Sequence, residues 1–390
     1  MKEQLIKILF FNSFHPKKKD FFQEIVEQRL VQIKEVFQDN FRIKGNLSSI
    51  FEDEMVYAII KSYNLALTDI HAYIEDVAIL LYGDVLACWT EYEIYLIVKR
   101  NERIQQKHDE MHAPFEHRMS GDDYEKGEIV MDTSLDRRCF YIDDLKIPLL
   151  LSDAIVYANL IQFVKGKKWY EMLSKLELSR QGTHFIYYKS SPLLPYGRLI
   201  SSALILSYKQ RDHWLALAPF FQTDRWDLLT NHEKVKECIE NSSLELDVSQ
   251  FYKGNGCVKC FDEGLIRAIK NKNEIAEIIR FTIHASSRRD FFQLFHKAYK
   301  ELMSSMYEVL GIKMSFWVSE EFPLYSIMNT INRKVKASVS LSIASSQILA
   351  SSKTLTHKGI VLNEQIANGL TKLSDTDILK EIQITKRFLS

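Results

Sequence analysis

The stretch YYKSSPLLPYGRLISSALILSY, residues 187–208, reads as two apolar strands around a turn, with Arg198 just inside the second strand. A guanidinium keeps its charge in any protein and is costly to bury unpaired. The partner that fits its two-pronged fork best is a carboxylate. Further along, EIIRF at 277–281 sets Glu277 and Arg280 three residues apart. Such a pair can be a structural ion pair, and perturbed pairs of this kind also gather at functional sites. Phe163 and Trp169 stand six residues apart. Aromatic faces at such positions attract cations, and they also fill ordinary cores. Arg198 has its plain reading too, as an edge-strand arginine beside a surface carboxylate.

Other clusters invite chemistry and carry less of it. CVKC (Cys257 to Cys260) is half of a zinc-ribbon spacing, with no second half and no matching histidine pair, so no metal site is expected. His108, His112 and His117 lie in a polar stretch broken by Pro114, without the HExxH pattern, and read as a solvated loop. KGKK at 165–168 and SSRRD at 286–290 read as solvated charge, or as docking points for an acidic partner or for phosphates.

The elements that must position these residues follow from periodicity. The N-terminal part is helical: DFFQEIVEQRLVQIKEVF puts Phe22, Ile25, Leu30, Ile33 and Phe37 near one face, and a longer helical stretch spans 48–83. Residues 105–128, polar and aperiodic, mark a loop or boundary. Beyond it RCFYIDD, THFIYYK and GRLISSALILSY read as strands, with HWLALAPFF as a further candidate. EIIRFTIHA is a strand, the segment from Arg288 a helix closed by Gly311, IKMSFWVS a strand, PLYSIMNTINR a helix and VKASVSLSI a strand. In that last strand Val335, Ala337, Val339, Leu341 and Ile343 share a face, and SDTD at 374–377 caps a final helix. The expected fold is therefore α/β (α+β): a helical N-terminal domain, residues 1–125, then a mixed β-sheet flanked by helices, residues 126–390. That element order matches acyltransferases of the GNAT class, although order alone assigns no function.

Composition bounds the possibilities. With 390 residues, 46% apolar and 26% charged, the chain is an ordinary globular protein of two-domain length. Lys plus Arg equals Asp plus Glu at 51 each, which disfavours nucleic acid as a partner. No stretch reads as a signal peptide or membrane span; the nearest, 147–164, carries Asp153. Five cysteines, an odd and sparse set, suit the reducing cytoplasm.

Taken together, these motifs resemble a known family. LPYGRLISS resembles the G-Y-A-R-L-L-P-T strand of the LuxI-type acyl-homoserine-lactone synthases, and THFIYY sits where their preceding strand sits. Phe163 and Trp169 match the spacing of that family's Phe and Trp, and EIIRF resembles its E-L-S-R-F. The length and the opening FFNSFHPKKKDFFQEIVEQ look instead like the LuxM/AinS type of synthase, a resemblance over essentially the whole chain. Three positions depart from the LuxI pattern: Asn159 stands where it has Arg, Glu177 where it has paired Asp, and Ile279 where it has Ser. The resemblance implies acyl transfer from acyl carrier protein or coenzyme A to the amine of S-adenosylmethionine, then lactonisation, with both reactants as substrates and no cofactor. It implies that Arg198 binds the substrate carboxylate, that Phe163, Trp169 and Glu177 bind S-adenosylmethionine, and that Glu277 and Arg280 are catalytic. Glu277 and Arg280 would face opposite sides of a regular strand. A bulge between them would turn both to one cleft and expose an N–H for an oxyanion. Two other readings stay open, another GNAT-type N-acyltransferase and a non-catalytic ligand-binding module.

Overall fold

The computed structural model describes residues 85–111, 124–142, 145–167, 172, 176–191, 195–222, 226–251, 257–285, 288–319, 322–346, 356–374, 376–377 and 380. The helices expected before residue 84 lie outside the described residues. In chain order the elements are α1 (Val85–Met111), β1 (Tyr124–Val130), β2 (Cys139–Tyr141), β3 (Leu149–Leu150), α2 (Leu151–Asn159), α3 (Leu176–Arg180), β4 (His184–Ser190), β5 (Gly197–Ser207), β6 (Asp227–Leu228), α4 (His232–Glu240), α5 (Val258–Ala268), β7 (Ile275–Ile283), α6 (Arg288–Glu308), β8 (Met314–Ser319), α7 (Phe322–Val335), β9 (Ser340–Ser346), β10 (Thr356–Leu362) and α8 (Asn363–Thr371). The chain divides into two compact units. One comprises Met1–Gly121, Ser134–Gln181 and Ser191–Gly197; the other comprises Asp122–Thr133, Gly182–Ser190 and Arg198–Ser390.

In the first unit β2 and β3 form a short antiparallel ladder that leads directly into α2. The side chain of Asn101 on α1 ties this start down. Its Oδ1 accepts from Leu150 N (2.8 Å), and its Nδ2 donates to Asp153 Oδ2 (2.8 Å). Asp153 lies in the first turn of α2, where the helix dipole favours a negative charge. Its other oxygen takes Arg100 Nη2 and Arg180 Nη1, both at 2.5 Å. After Asn159 the helix widens into a π-helical stretch, Leu160–Lys165.

The second unit is built on a sheet of order β1-β4-β5-β7-β8-β10-β9-β6. Every pairing is antiparallel except β7 with β8, which needs a crossover; helix α6 supplies it. The α6 sequence sets Phe295, Ala298, Tyr299, Leu302, Met303 and Met306 at helical spacing, and all are buried against one face of the sheet. Phe185 and Tyr187 of β4, Ile200, Ala203 and Ile205 of β5, Ala276 and Ile283 of β7, and Trp317 of β8 share that core with Met328 and Ile331 of α7 and Ile366, Ala367 and Leu370 of α8. Gly127 of β1 permits close approach of α6: a Cβ there would lie 2.7 Å from Glu301 Cβ. Gly311 closes α6 at φ +67, with its N–H returned to Tyr307 O (3.1 Å), as its position after the helix requires. The architecture is mixed α/β, a large mixed sheet flanked by helices as in GNAT-like folds. Among the described residues no helix is long and apolar enough to cross a membrane.

Several expectations change. HWLALAPFF is not a strand: 3₁₀ turns at Tyr208–His213 and Pro219–Gln222 bracket a non-helical stretch. Its N–H groups go elsewhere, two of them to a buried carboxylate described below, and Pro219 has none to give. The polar stretch 105–128 is not one loop, since α1 continues to Met111 and β1 begins at Tyr124; His112 and His117 lie outside the described residues. VKASVSLSI contributes only its second half to β9, because Val335 ends α7 and Lys336 turns the chain at φ +53. Ser340, Ser345 and Ser346 of β9 are buried, so the strand has no purely solvated face. At 374–377 the cap is present: Ser374 Oγ accepts from Asp377 N (3.2 Å), and Asp377 Oδ2 accepts from Ser374 N (3.1 Å).

Candidate active site

Strand β7 carries two of the candidate residues, Glu277 and Arg280. Its ladder with β8 runs only from Ile275–Met314 to Ile278–Trp317; beyond that point β7 pairs with β5 alone and β8 with β10 alone. The register with β5 shifts between Leu204–Ile279 and Ser202–Thr282, so Arg280 and Phe281 together oppose Ala203. Arg280 has φ +56, a left-handed conformation that costs a non-glycine residue about 1–2 kcal/mol. The bulge resets the alternation. Ala276 and Ile283 belong to the α6 core, and Ile278 and Phe281 pack against it. Glu277 and Arg280 are thereby both left to the opposite face, as the expected bulge requires.

Glu277 is fully buried. Leu215 N donates to its Oε2 (2.5 Å) and Ala216 N to its Oε1 (2.6 Å). Burial pushes the carboxyl up to about 8, against the pull of these two N–H groups and of the Lys358 charge; Asp262 adds to the rise. Lys358 and Asp262 escaped the sequence reading. Lys358 on β10 and Asp262 on α5 are both buried, and Lys358 Nζ reaches Asp262 Oδ2 at 2.5 Å and Phe221 O at 2.8 Å. Gln222 Nε2 joins Asp262 Oδ2 (2.9 Å) to Ala216 O (2.9 Å), which closes the network around the 214–222 segment. Burial pushes Asp262 up and Lys358 down, while their mutual attraction opposes both shifts. The one sequence signal was a lysine inside the apolar run THKGIVL.

Burial lowers the Arg280 guanidinium to about 10, which leaves it charged at neutral pH. Its charge reaches His184 on β4, whose imidazole is pushed down to about 4, first by burial and then by Arg280. His184 Nδ1 lies 3.2 Å from Gly182 O and 3.3 Å from Thr133 Oγ1, and its buried Nε2 meets no hydrogen-bond partner. On neighbouring strands, Ser202 Oγ and Thr282 Oγ1 pair at 2.9 Å. Arg198 stands exposed near the start of β5, across the ladder from Lys189. It stands just inside the strand, as the sequence indicates, one residue from its start, where none of the described residues covers the side chain.

The remaining candidates lie in the first unit. Phe163 is buried in the π-helical stretch, with Lys167 Nζ 6.0 Å from its ring centroid. Trp169 lies outside the described residues. Glu177 lies in the first turn of α3, largely exposed, and pairs with Arg180 at 3.5 Å one turn on. Asn159, which stands in place of the family's Arg, is buried with its Oδ1 unpartnered. Among the described residues no group of three or more His, Cys, Asp or Glu side chains could hold a metal ion.

The model of one family, acyl homoserine lactone synthase, matches residues 2–387. The chain belongs to that family. It is 27% identical to acyl-homoserine-lactone synthase LuxM of Vibrio harveyi over 340 residues, 85% of this chain and 81% of that protein. It is 30% identical to acyl-homoserine-lactone synthase OpaM of Vibrio parahaemolyticus over 190 residues, 48% of this chain and 46% of the other. No solved structure matches. Membership in this synthase family makes the chain an acyltransferase of quorum-sensing autoinducer synthesis, of the LuxM type.

Proposed function

We propose that the chain transfers an acyl group from a thioester, on acyl carrier protein or coenzyme A, to the α-amine of S-adenosylmethionine. The amine loses a proton and forms the amide bond as the C–S bond of the thioester breaks and the thiol departs. The methionyl carboxylate then attacks its own γ-carbon, the bond to the sulfonium breaks, and methylthioadenosine leaves with the lactone closed. Both reactants are substrates, and the reaction uses no cofactor. The observation that supports this most is the bulge at Arg280 where the β7–β8 ladder stops. Strands that part there leave backbone groups able to meet an extended acyl chain and a developing oxyanion.

In this reading Glu277 is the acid/base group. Two of its four acceptor positions hold Leu215 and Ala216, and the others remain for a proton or a relaying water. A titration near 8 suits a group that must take and return a proton close to neutral pH. Arg280 supplies fixed positive charge, and Arg198, exposed at the strand end, takes the carboxylate. The roles of Phe163, Trp169 and Glu177 in holding S-adenosylmethionine rest on residue pattern. The test is mass spectrometry of purified protein with S-adenosylmethionine and an acyl thioester. Acyl-homoserine lactone and methylthioadenosine in equal amounts are expected. An open-chain N-acyl product without methylthioadenosine would overturn the reading.

A further inference from the structure

The CVKC segment opens helix α5. Cys257 is the N-cap of α5, and its Sγ accepts from the backbone N–H of Cys260 at 3.2 Å. The two sulfurs lie 2.8 Å apart, within hydrogen-bond reach of each other. A disulfide needs about 2.05 Å, so closure requires only a small movement of two side chains in one helical turn. Both residues are partly exposed. Cys139 and Cys238, by contrast, are buried, and burial pushes each thiol up to about 12. We propose that Cys257 and Cys260 form a redox-active dithiol whose substrate is a small disulfide, with Cys257 as the attacking sulfur and Cys260 as the resolving one.

The contact with the Cys260 sulfur, followed by the N–H groups of Cys260 and Lys259, holds Cys257 below the ordinary thiol range. The same interaction keeps Cys260 protonated, with its pKa raised. Cys257 as thiolate attacks one sulfur of the disulfide, forms a mixed disulfide and releases the first thiolate. The Cys260 sulfur then attacks Cys257, closes the 257–260 bond and expels the second. Two electrons leave the protein, one external disulfide becomes two thiols, and the two protein thiol protons end on them. The helix so closed carries Asp262, two residues past Cys260, which holds Lys358.

The full-length protein is incubated with oxidised glutathione, quenched with iodoacetamide under denaturing conditions and mapped by mass spectrometry. The peptide containing both residues should become two hydrogens lighter and escape alkylation, while Cys88, Cys139 and Cys238 remain alkylatable. Cys260→Ser should trap glutathione on Cys257. Cys257→Ser, which preserves a capping oxygen, should leave Cys260 at least about tenfold slower to react. No 257–260 disulfide in the wild type, or no adduct on Cys257 in Cys260→Ser within the time that oxidises the wild type, would overturn the proposal.

Discussion

Glu277→Gln separates a working carboxyl from a merely buried one. In the folded protein the group is raised from 4.5 to about 8, which favours its neutral over its ionised form by about 5 kcal/mol. The sign follows from proton binding. A raised carboxyl contributes its stability below the unfolded value, and that contribution is lost as pH rises from about 4.5 through about 8. Between pH 5 and pH 8 the loss amounts to about 3 kcal/mol. Glutamine does not titrate, but its amide cannot accept from both Leu215 N and Ala216 N, which costs about 1–3 kcal/mol. Urea unfolding of both proteins should therefore show the variant less stable at pH 5. At pH 8 the gap should close or reverse, and all other titrating groups cancel in the difference. A gap unchanged between the two pH values would mean an ordinary carboxylate, and the acid/base role would lose its physical basis. The single-turnover rate, measured alongside, should fall while S-adenosylmethionine still binds.

Arg198→Lys keeps the charge and loses the fork; with the residue exposed, stability should move by less than about 0.5 kcal/mol while turnover falls about 10²-fold. Wild-type turnover would remove Arg198 from the site. Lys358→Met strands Asp262 in the interior, and urea unfolding should show a loss of about 3–5 kcal/mol, most of it regained on adding Asp262→Leu. Cys257→Ser with Cys260→Ser should keep most of the synthase rate in reducing buffer, and chelators should leave the wild-type rate unchanged. Inhibition by a chelator would reveal a metal that the residue pattern does not predict.

The sheet's centre was legible because its strands follow the pattern rules. THFIYYK, GRLISSALILSY, EIIRF and IKMSFWVS are rich in β-branched and aromatic residues, and α6 carries a clear helical stripe. Two other strands were not. At one edge YEKGEIV forms β1 despite charges at 125, 126 and 128, and between β8 and β9 THKGIVL forms β10 around a lysine that reads as solvated. Its burial depends on Asp262, 96 residues away, which no local pattern reports. The bulge at Arg280 was inferred from a conflict of facing directions, which physical reasoning can detect in one strand. The enclosure of Glu277 by Leu215 and Ala216 was not, because an apolar run such as HWLALAPFF looks the same whether its N–H groups bind a neighbouring strand or a carboxylate.

The partners of Lys358 are far away along the chain: 96 residues to Asp262, 137 to Phe221 and 142 to Ala216. Contacts of such separation reward the chain only after the intervening loops have closed, so they belong to the late part of folding. Interactions missing from the transition state change the rate of escape from the native state and leave the rate of entry alone. Weakening this network should steepen unfolding kinetics without slowing refolding. What Lys358 sets is the lifetime of the folded enzyme.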